Sequence, residues 1–338
     1  MTVAVYLPEN VPYSMKYCAW NIMAICKKKY SVKFISFSSL QNIPETNIDV
    51  LWDPRCGGGI APPVIFRKMN NPLVLTVHGM AMFTLPLTTF HLTISQQIKG
   101  YFKSAKERLK WKIMTPHIAQ IMTVSEYTKS ELLSTIHFPA AKISAVWNGI
   151  DHEKFHPAAE KKEAQAPYFF TVISYQKKKN FERLIEAYTQ LEEATRPDLI
   201  AIVKPYTPTN EIKKIKGLHI INTPIEEQQL IAYYQQALAL VFVSLHEGFG
   251  LPIVEAMACG IPVITSSTTS CKEIAGDAAL LVNPTSTNDI ADAMRKLSDS
   301  KALRQQLSYK GLERAKDFSW EKSAAAFYEI LLKSTTSN

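Results

Sequence analysis

The stretch EGFGLPIVEAMACGIPVI, residues 247–264, decides the fold. It follows an apolar run, Ala239–Val243, and places two glycines and a proline before the start of a helix. A strand, a glycine-rich turn and a helix in this order present unpaired backbone N–H groups and a positive helix end to an anion. Glu247 stands at the mouth of the turn, and Glu255 follows it by about two helical turns. Because a carboxylate accepts several hydrogen bonds, the stretch predicts a diphosphate on the turn with one glutamate on each attached sugar.

Short apolar runs alternate with longer amphipathic segments on both sides of this stretch. The runs are continuous rather than alternating, which is typical of parallel strands buried on both faces. They are Val3–Leu7, Val32–Phe37, Val74–Val77, Ile121–Val124, Ile143–Val146, Phe169–Ile173, Ile200–Val203, Ile220–Ile221, Ala239–Val243 and Pro262–Thr265. The segment Asn180–Leu191 carries apolar residues at helical spacing. Two such halves predict an α/β protein with two Rossmann-like, doubly wound domains, whose ligands bind outside the carboxyl ends of the strands, in a cleft between the domains.

The strand pattern restarts after a polar, proline-bounded stretch, Pro157 to Pro167, which contains Glu160, Lys161, Lys162 and Glu163. Such a stretch is typical of a linker, so we predict one domain over residues 1–156 and a second over 157–320.

Length and composition exclude several classes of protein. The 338 residues suit two domains, and 46% hydrophobic with 20% charged residues is ordinary for a globular protein. No apolar run reaches the roughly 18 residues that span a bilayer, and the sequence predicts no signal peptide. The five cysteines are scattered without metal-ligand spacing, so we expect a reduced, cytoplasmic protein without structural zinc. A net charge of +8 favours anionic partners, but no nucleic-acid-binding motif is visible.

The stretch 247–264 resembles the E-x7-E signature of the family 4 glycosyltransferases almost residue for residue. Further segments agree with the family in order and spacing. Val124–Lys129 resembles its V-S-x-x-T/S-K segment, and Trp147–Asp151, followed by Phe155 and Pro157, resembles its N-G-(I/V)-D-x-x-x-F-x-P segment. Lys178–Phe181 resembles the turn that opens the second domain, and the segment from Trp320 to Tyr328 resembles the terminal helix. Ser125 is a predicted helix N-cap. The resemblance runs from about residue 74 to the end of the sequence and is weak before residue 70.

The resemblance implies a GT-B architecture and a retaining glycosyltransferase that uses a nucleotide diphosphate sugar. It implies that residues 1–156 bind the acceptor, that a helix over about 321–336 packs back onto them, and that residues 157–320 bind the donor. Glu255 would bind the ribose and Glu247 the transferred sugar. The backbone of Gly248, Phe249, Gly250 and Leu251 would contact the diphosphate and the sugar. Lys179 would neutralise the diphosphate, and His78, at the end of a strand, would hydrogen-bond the donor sugar. The donor is a UDP-, GDP- or ADP-sugar, the acceptor a glycan or a lipid-linked sugar, and no metal or other cofactor is expected.

The sequence departs from the family pattern at several turns. The segment after the first strand, residues 8–14, contains no glycine, and Gly57-Gly58-Gly59 comes later, as a predicted loop after Val50–Trp52. Glycines usual in the second domain are replaced by Val172–Tyr175 and by Lys204-Pro205. The arginine that the family often carries near Ser174 is absent, and Lys178 and Lys204 are the candidates to replace it.

Residues 98–113, IKGYFKSAKERLKWKI, predict a basic amphipathic helix with two open interpretations. Lysines recur at helical spacing, and a roughly opposing stripe consists of Ile98, Phe102, Ala105, Leu109 and Ile113. One interpretation is a peripheral membrane contact at the inner face of a membrane, with the lysines on anionic headgroups. The other, which we favour from the sequence, is a domain helix with the stripe in the core and the lysines in water.

Two further functions stay open beside sugar transfer. The first is a catalytically degenerate, glycosyltransferase-like partner subunit, which the missing glycines favour. The second is another reaction on the same architecture, such as a nucleotide-sugar epimerase or a phosphorylase.

Overall fold

The computed structural model describes residues 1–44, 47–90, 93–159 and 167–336. These residues form two compact units. The first comprises Met1–Gly149 together with the C-terminal residues from Ser319, and the second comprises Ile150–Phe318. Residues 160–166, where the sequence predicts the linker, lie outside the described residues.

The first unit contains a six-stranded parallel sheet in the order β2-β1-β3-β4-β5-β6. Its strands are β1 (Thr2–Tyr6), β2 (Lys33–Phe37), β3 (Val50–Cys56), β4 (Leu73–Val77), β5 (Ile118–Thr123) and β6 (Ile143–Ala145). Its helices up to this point are α1 (Tyr13–Tyr30), α2 (Ala81–Thr84), α3 (Ile94–Met114) and α4 (Glu126–Thr135). The predicted N-cap is present, because the Ser125 hydroxyl accepts a hydrogen bond from the N–H of Thr128 at 3.0 Å.

The second unit contains a six-stranded parallel sheet in the order β12-β11-β10-β7-β8-β9. Its strands are β7 (Tyr168–Ser174), β8 (Asp198–Lys204), β9 (Leu218–Ile221), β10 (Ala239–Phe242), β11 (Val263–Ser266) and β12 (Leu280–Val282). Its helices are α5 (Phe181–Thr189), α6 (Asn210–Lys213), α7 (Glu227–Gln236), α8 (Leu251–Ala258), α9 (Thr269–Ala275), α10 (Thr287–Asp299) and α11 (Lys301–Ala315). The prediction of two doubly wound α/β domains is therefore confirmed.

The last helix, α12 (Trp320–Thr336), packs within the first unit. It shares a buried cluster with α1 and the sheet, in which Trp52 and Phe327 lie with ring centroids 4.3 Å apart. Gly149 is required where the chain leaves this unit, because a Cβ there would lie 2.1 Å from the backbone nitrogen of Trp320. The Ser323 hydroxyl donates to the carbonyl of Trp147 at 2.6 Å and fixes the start of α12 beside this point.

The division between the units falls before Ile150 and after Phe318, where the sequence predicted it after residues 156 and 320. The difference has a physical cause, because the residues after Gly149 bond to the second unit. The ring of His152 is hydrogen-bonded to the carbonyl of Phe318 at 3.1 Å, and the ammonium of Lys154 pairs with Glu227 at 2.7 Å. The roles predicted for the two domains stay predictions.

The core-helix interpretation of residues 98–113 is wrong about which face is buried. The residues of α3 that are buried are Gly100, Glu107, Trp111 and Met114, whereas Ile98, Phe102, Ala105 and Leu109 are exposed and Ile113 is half-buried. The buried face is set by polar bonds that the hydrophobic pattern does not reveal. Glu107 accepts from the N–H of Ala61 at 2.9 Å, and the indole N–H of Trp111 donates to the carbonyl of Gly59 at 3.0 Å.

No helix within the described residues is long and apolar enough to cross a bilayer.

Candidate active site

The second sheet reverses its winding direction between β7 and β10. The chain runs outward from β7 through β8 to β9, and then resumes at β10 on the other side of β7. In an open α/β sheet, ligands bind outside the carboxyl ends of the strands at such a switch point. Lys178 and Lys179 follow β7, and Glu247 follows β10, so the fold brings these three predicted site residues to one place.

Asn180 shapes the turn that carries the lysines. It is almost fully buried and has a left-handed backbone with φ of 63°. Its amide donates to the carbonyl of Val243 at 2.9 Å, just past the end of β10, and to that of Pro284 at 2.7 Å, just past β12. The carbonyl of Lys178 accepts the N–H of Leu245 at 2.7 Å. These bonds attach the lysine turn to the neighbouring strand ends and thereby fix the position of Lys179.

Lys179 and Glu247 form a close, mostly buried ion pair. The ammonium lies 2.6 Å from Oε1 of Glu247, and the two side chains are 15% and 11% exposed. Burial raises the pKa of Glu247, but the charges of Lys179 and Lys178 and the hydrogen bond from Lys179 outweigh it and hold this pKa below its usual value. Glu247 is therefore an ionised carboxylate with a fixed position, and it can still accept further hydrogen bonds.

The glycine turn leads into α8 with the geometry that the sequence predicted. Gly250 is the N-cap with φ of 103°, a conformation that favours glycine, and Pro252 lies in the first turn of the helix. The N-terminus of α8 offers backbone N–H groups and a positive dipole end beside Glu247. The side chain of Phe249 is buried and packs edge-on against Phe318, so only its backbone is available to a ligand.

Ser270 holds this turn in place from the neighbouring segment. Its buried hydroxyl lies 2.9 Å from the carbonyl of Glu247 and 3.0 Å from the carbonyl of Phe249, and donates its hydrogen to this pair. Because the carbonyls of Glu247 and Phe249 are bonded to Ser270, the peptide groups of residues 247–250 have a fixed orientation. Sequence reasoning missed Ser270, because a serine in a Thr-Thr-Ser run carries no signal of a contact twenty residues away.

Glu255 lies on α8 and has a different environment from Glu247. Its Oε2 accepts a hydrogen bond of 2.6 Å from the hydroxyl of the buried Tyr234 on α7. Burial raises the pKa of Glu255 to about 7, because the bond from Tyr234 only partly offsets desolvation and the charge of Glu227 adds to the rise. Tyr234 was also missed, since only the tertiary structure brings α7 against α8.

Lys204, the other candidate to replace the absent arginine, is the last residue of β8 and pairs in register with Ser174 of β7. It therefore stands at the same sheet edge as the lysine turn.

His78 belongs to the first unit, directly after β4. Its Nε2 lies 2.9 Å from the carbonyl oxygen of Pro54. A carbonyl oxygen only accepts, so Nε2 carries the proton and Nδ1 presents a lone pair. Desolvation lowers the pKa of His78 to about 4 against the opposing effect of the Pro54 hydrogen bond, so the ring is neutral at neutral pH. The glycine run 57–59 follows β3 directly, beside the backbone N–H of His78, which donates to Cys56 at 2.7 Å.

The structure thus places Lys178, Lys179, Glu247, the turn Gly248–Leu251 and Glu255 in the second unit, around one switch point and one helix. His78 stands on the other unit. Among the described residues, no three His, Cys, Asp or Glu side chains lie close enough together to hold a metal ion.

Two family models match the chain in succession. The model described as Glycosyltransferase Family 4 matches residues 24–154, and the model described as Glycosyl transferases group 1 matches residues 152–314. Together they extend over both units.

Similar proteins agree with these models. The O-antigen chain mannosyltransferase B of Escherichia coli is 29% identical over 265 residues, which are 73% of this chain and 67% of that protein. The MMP alpha-(1->4)-mannosyltransferase of Mycolicibacterium hassiacum is 28% identical over 84% of this chain and 71% of its own length. Among solved structures, the sucrose-phosphate synthase of Thermosynechococcus elongatus superposes with a TM-score of 0.76 at 17% identity, covering all of both chains, which is a likeness of fold. The chain belongs to the family 4, or group 1, glycosyltransferases, with the two doubly wound α/β domains of the GT-B fold.

Proposed function

We propose that the protein is a retaining, metal-independent hexosyltransferase, which moves a sugar from a UDP-, GDP- or ADP-sugar to a glycan or a lipid-linked acceptor. The observation that carries the proposal is the ion pair between Lys179 and Glu247, which stands at the switch point beside the N-terminus of α8. This arrangement combines a positive charge, backbone N–H donors and an ionised carboxylate, which are the groups that a sugar diphosphate requires.

The diphosphate, the transferred sugar and the ribose of the donor would each have a partner in the second unit. The backbone of the turn Gly248–Leu251 would bind the diphosphate at the positive end of α8. Lys179 would add a charge to the diphosphate while it keeps Glu247, since an ammonium has three donors, and Lys178 would support it. Glu247 would accept hydrogen bonds from the transferred sugar, and Glu255 from the ribose. The two lysines would stabilise the negative charge that develops as the nucleotide leaves.

The chemistry is a substitution at the anomeric carbon in which the acceptor attacks the face from which the nucleotide departs. The bond from the anomeric carbon to the diphosphate oxygen breaks, and a bond to the acceptor oxygen forms. The acceptor proton passes to the departing diphosphate oxygen. His78 would accept a hydrogen bond from the transferred sugar through the lone pair of Nδ1, since its ring is neutral and its Nε2 is bonded to Pro54. We do not propose it as the nucleophile.

Mannose is the sugar that the similar proteins favour, since both relatives described above are named mannosyltransferases. We place the protein in the cytoplasm, peripheral at the inner face of a membrane, where a lipid-linked acceptor would be found.

The proposal is tested by incubating the protein with UDP-, GDP- and ADP-sugars in the presence of EDTA and measuring nucleotide release. Mannose, glucose, galactose and N-acetylglucosamine donors are included, with Glu247→Ala and Glu255→Ala as controls. We expect release from one donor that both substitutions abolish, and an α-linked product from an α-linked donor. Release that requires an added divalent metal would refute metal independence, and an inverted product would refute the retaining mechanism.

A degenerate partner subunit is the competing function, and the absence of glycine from Val172–Tyr175 favours it. It predicts no turnover with any donor, even when a lipid-linked or glycan acceptor is supplied.

A further inference from the structure

Helix α3 has three faces rather than two. One face is buried and bonded to the loop after β3 through Glu107 and Trp111, as described above. A second face carries large apolar side chains that are 53% to 78% exposed. We name this second face the exposed stripe; it consists of Ile94, Ile98, Tyr101, Phe102 and Leu109. At 100° per residue these positions fall within roughly a third of the helix circumference, so they form one continuous surface.

The exposed stripe is bordered by positive charge on both sides. On one side run Lys99, Lys103, Lys106 and Lys110 at helical spacing, and we call these the lysine row. On the other side lies Arg108, which with Lys112 and His137 lines a cavity of about 340 Å³ at the C-terminal end of the helix. The helix has six basic residues and one acidic residue, Glu107, which is buried and paired with Lys110 at 2.6 Å.

Five large, exposed apolar side chains that adjoin on one helix indicate an interaction site rather than an ordinary solvated surface. The charge selects among the occupants. An apolar stripe bordered by lysines matches the boundary of a bilayer that contains anionic lipids, because the side chains enter the acyl boundary while the ammonium groups meet the phosphates. A neutral protein groove would leave the lysine row without partners.

We propose that α3 docks on an anionic membrane surface through the exposed stripe and the lysine row. The helix then lies in the plane of the interface, with its buried face toward the protein. Because Glu107 and Trp111 bond to Ala61 and Gly59, docking also fixes the loop after β3, which adjoins His78. Docking on a membrane does not require sugar transfer. The proposal rests on the proposed function only in that a docked protein would meet a lipid-linked acceptor at the membrane.

The test measures binding of the full chain to phosphatidylcholine vesicles, with and without phosphatidylglycerol, by co-flotation. One variant combines Lys99→Glu, Lys103→Glu and Lys106→Glu; Lys110 is spared because it neutralises the buried Glu107. A second variant combines Ile98→Gln and Phe102→Gln. A matched control, Lys272→Glu with Lys296→Glu and Lys301→Glu, changes the net charge equally at exposed lysines of the second unit.

We expect binding to the anionic vesicles that weakens with salt and falls at least about a hundredfold in the lysine variant, since each of the three lysines near such a surface contributes about fivefold. The glutamine variant should also lose binding, and the control should stay within about twofold of the parent. Equal binding to both vesicle types, or equal losses in the lysine variant and the control, would overturn the proposal. A parent protein that ignores vesicles but self-associates until Phe102 is replaced would overturn it in favour of an interface between two copies.

Thermal shifts with the nucleotide-sugar panel on the same variants keep the two proposals apart. We expect donor binding to be unchanged in all of them, because none alters the second-unit site. Loss of vesicle binding with donor binding intact bears only on the membrane surface, whereas absent donor binding with intact vesicle binding bears only on the proposed function.

Discussion

Glu247 and Glu255 are two glutamates of one segment, and the fold gives them opposite acidities. Glu247 precedes α8 and has an ammonium 2.6 Å away, which keeps its pKa below the usual value despite burial. Glu255 lies within α8 and has the hydroxyl of Tyr234 as its partner, which does not offset desolvation, so burial raises its pKa to about 7. One carboxylate is paired before any ligand arrives, and the other is stabilised as an anion only when new donors reach it.

This difference suggests two tasks for the two carboxylates. A paired, ionised Glu247 has a fixed position and suits the reacting sugar, where geometry decides the rate. A carboxyl such as Glu255, which gains hydrogen bonds when a ligand binds, suits recognition of ribose hydroxyls, where the gain appears as affinity. The predictions below test that contrast.

The largest effect is expected from Glu247→Gln. Loss of this charge should lower kcat about a hundredfold to a thousandfold, as for other groups that stabilise a transition state. It also leaves the ammonium of Lys179 buried without its counter-charge, so the free energy of unfolding should fall by about 1–3 kcal/mol.

Denaturant titration compares the single variant Glu247→Gln with the double variant that combines Lys179→Met and Glu247→Gln. The comparison separates the loss of stability from the loss of turnover. The double variant should recover stability without recovering turnover. Turnover within threefold of the parent protein in Glu247→Gln would remove this residue from the reaction.

The second prediction concerns the stability of Glu255→Gln, which should increase, whereas that of Glu247→Gln should decrease. A folded-state pKa above the unfolded value means that the native state binds more protons between about pH 4.5 and 7, so the ionised form costs stability at neutral pH. Glutamine removes that cost and still accepts the bond from Tyr234. We expect the midpoint of thermal unfolding at neutral pH to rise by about 2–4 °C. A fall as large as that in Glu247→Gln would show that the two carboxylates do not differ.

The third prediction concerns the pH dependence of donor binding. Ribose hydroxyls donate to a carboxylate and lose that acceptor when Glu255 is protonated, so affinity should rise with pH through about 7 and level off above it. Calorimetric titrations between pH 5.5 and 8.5 measure this, and Glu255→Gln should show no such rise. Glu247 contributes no inflection in this range, because its pKa lies below the usual value. An inflection that survives in Glu255→Gln would assign it to another group.

The smallest effect is expected from Ser270→Ala. The substitution removes the hydrogen that Ser270 donates to the carbonyls of Glu247 and Phe249, a contribution of about 1 kcal/mol. Because Ser270 positions the turn and does not touch the ligand, the donor KM should rise about fivefold with kcat changed less than twofold. A loss confined to kcat would instead place Ser270 among the reacting groups.

The difference between local and tertiary interactions explains which features the sequence could predict. The turn before α8 follows from local chemistry, since Gly250, Pro252 and the apolar run before them specify a strand, a turn and a helix. The pairing of Lys179 with Glu247 follows from parallel strands whose carboxyl ends share an edge. Ser270 and Tyr234 depend on how α9 and α7 pack against α8, and no spacing in the sequence reveals that packing.

Helix α3 shows why the hydrophobic pattern alone misassigned a face. The apolar stripe has the right period for a core face, yet the buried residues of the helix are Trp111 and Met114 together with Gly100 and Glu107. A pattern of apolar residues cannot predict that a glutamate is buried because it accepts a hydrogen bond from a loop N–H. The short strand β12, Leu280–Val282, was missed for another reason, because three residues are too few to show a period.

The most direct measurement compares the affinity of the nucleoside diphosphate with that of the matching nucleotide sugar in the parent protein, Glu247→Gln and Glu255→Gln. We expect Glu255→Gln to weaken both ligands about equally, because both contain the ribose. We expect Glu247→Gln to weaken the nucleotide sugar and to leave the affinity for the nucleoside diphosphate within about twofold, because only the nucleotide sugar contains the transferred sugar. Equal losses for both ligands in Glu247→Gln, or unchanged affinities in Glu255→Gln, would contradict the assignment of these two carboxylates.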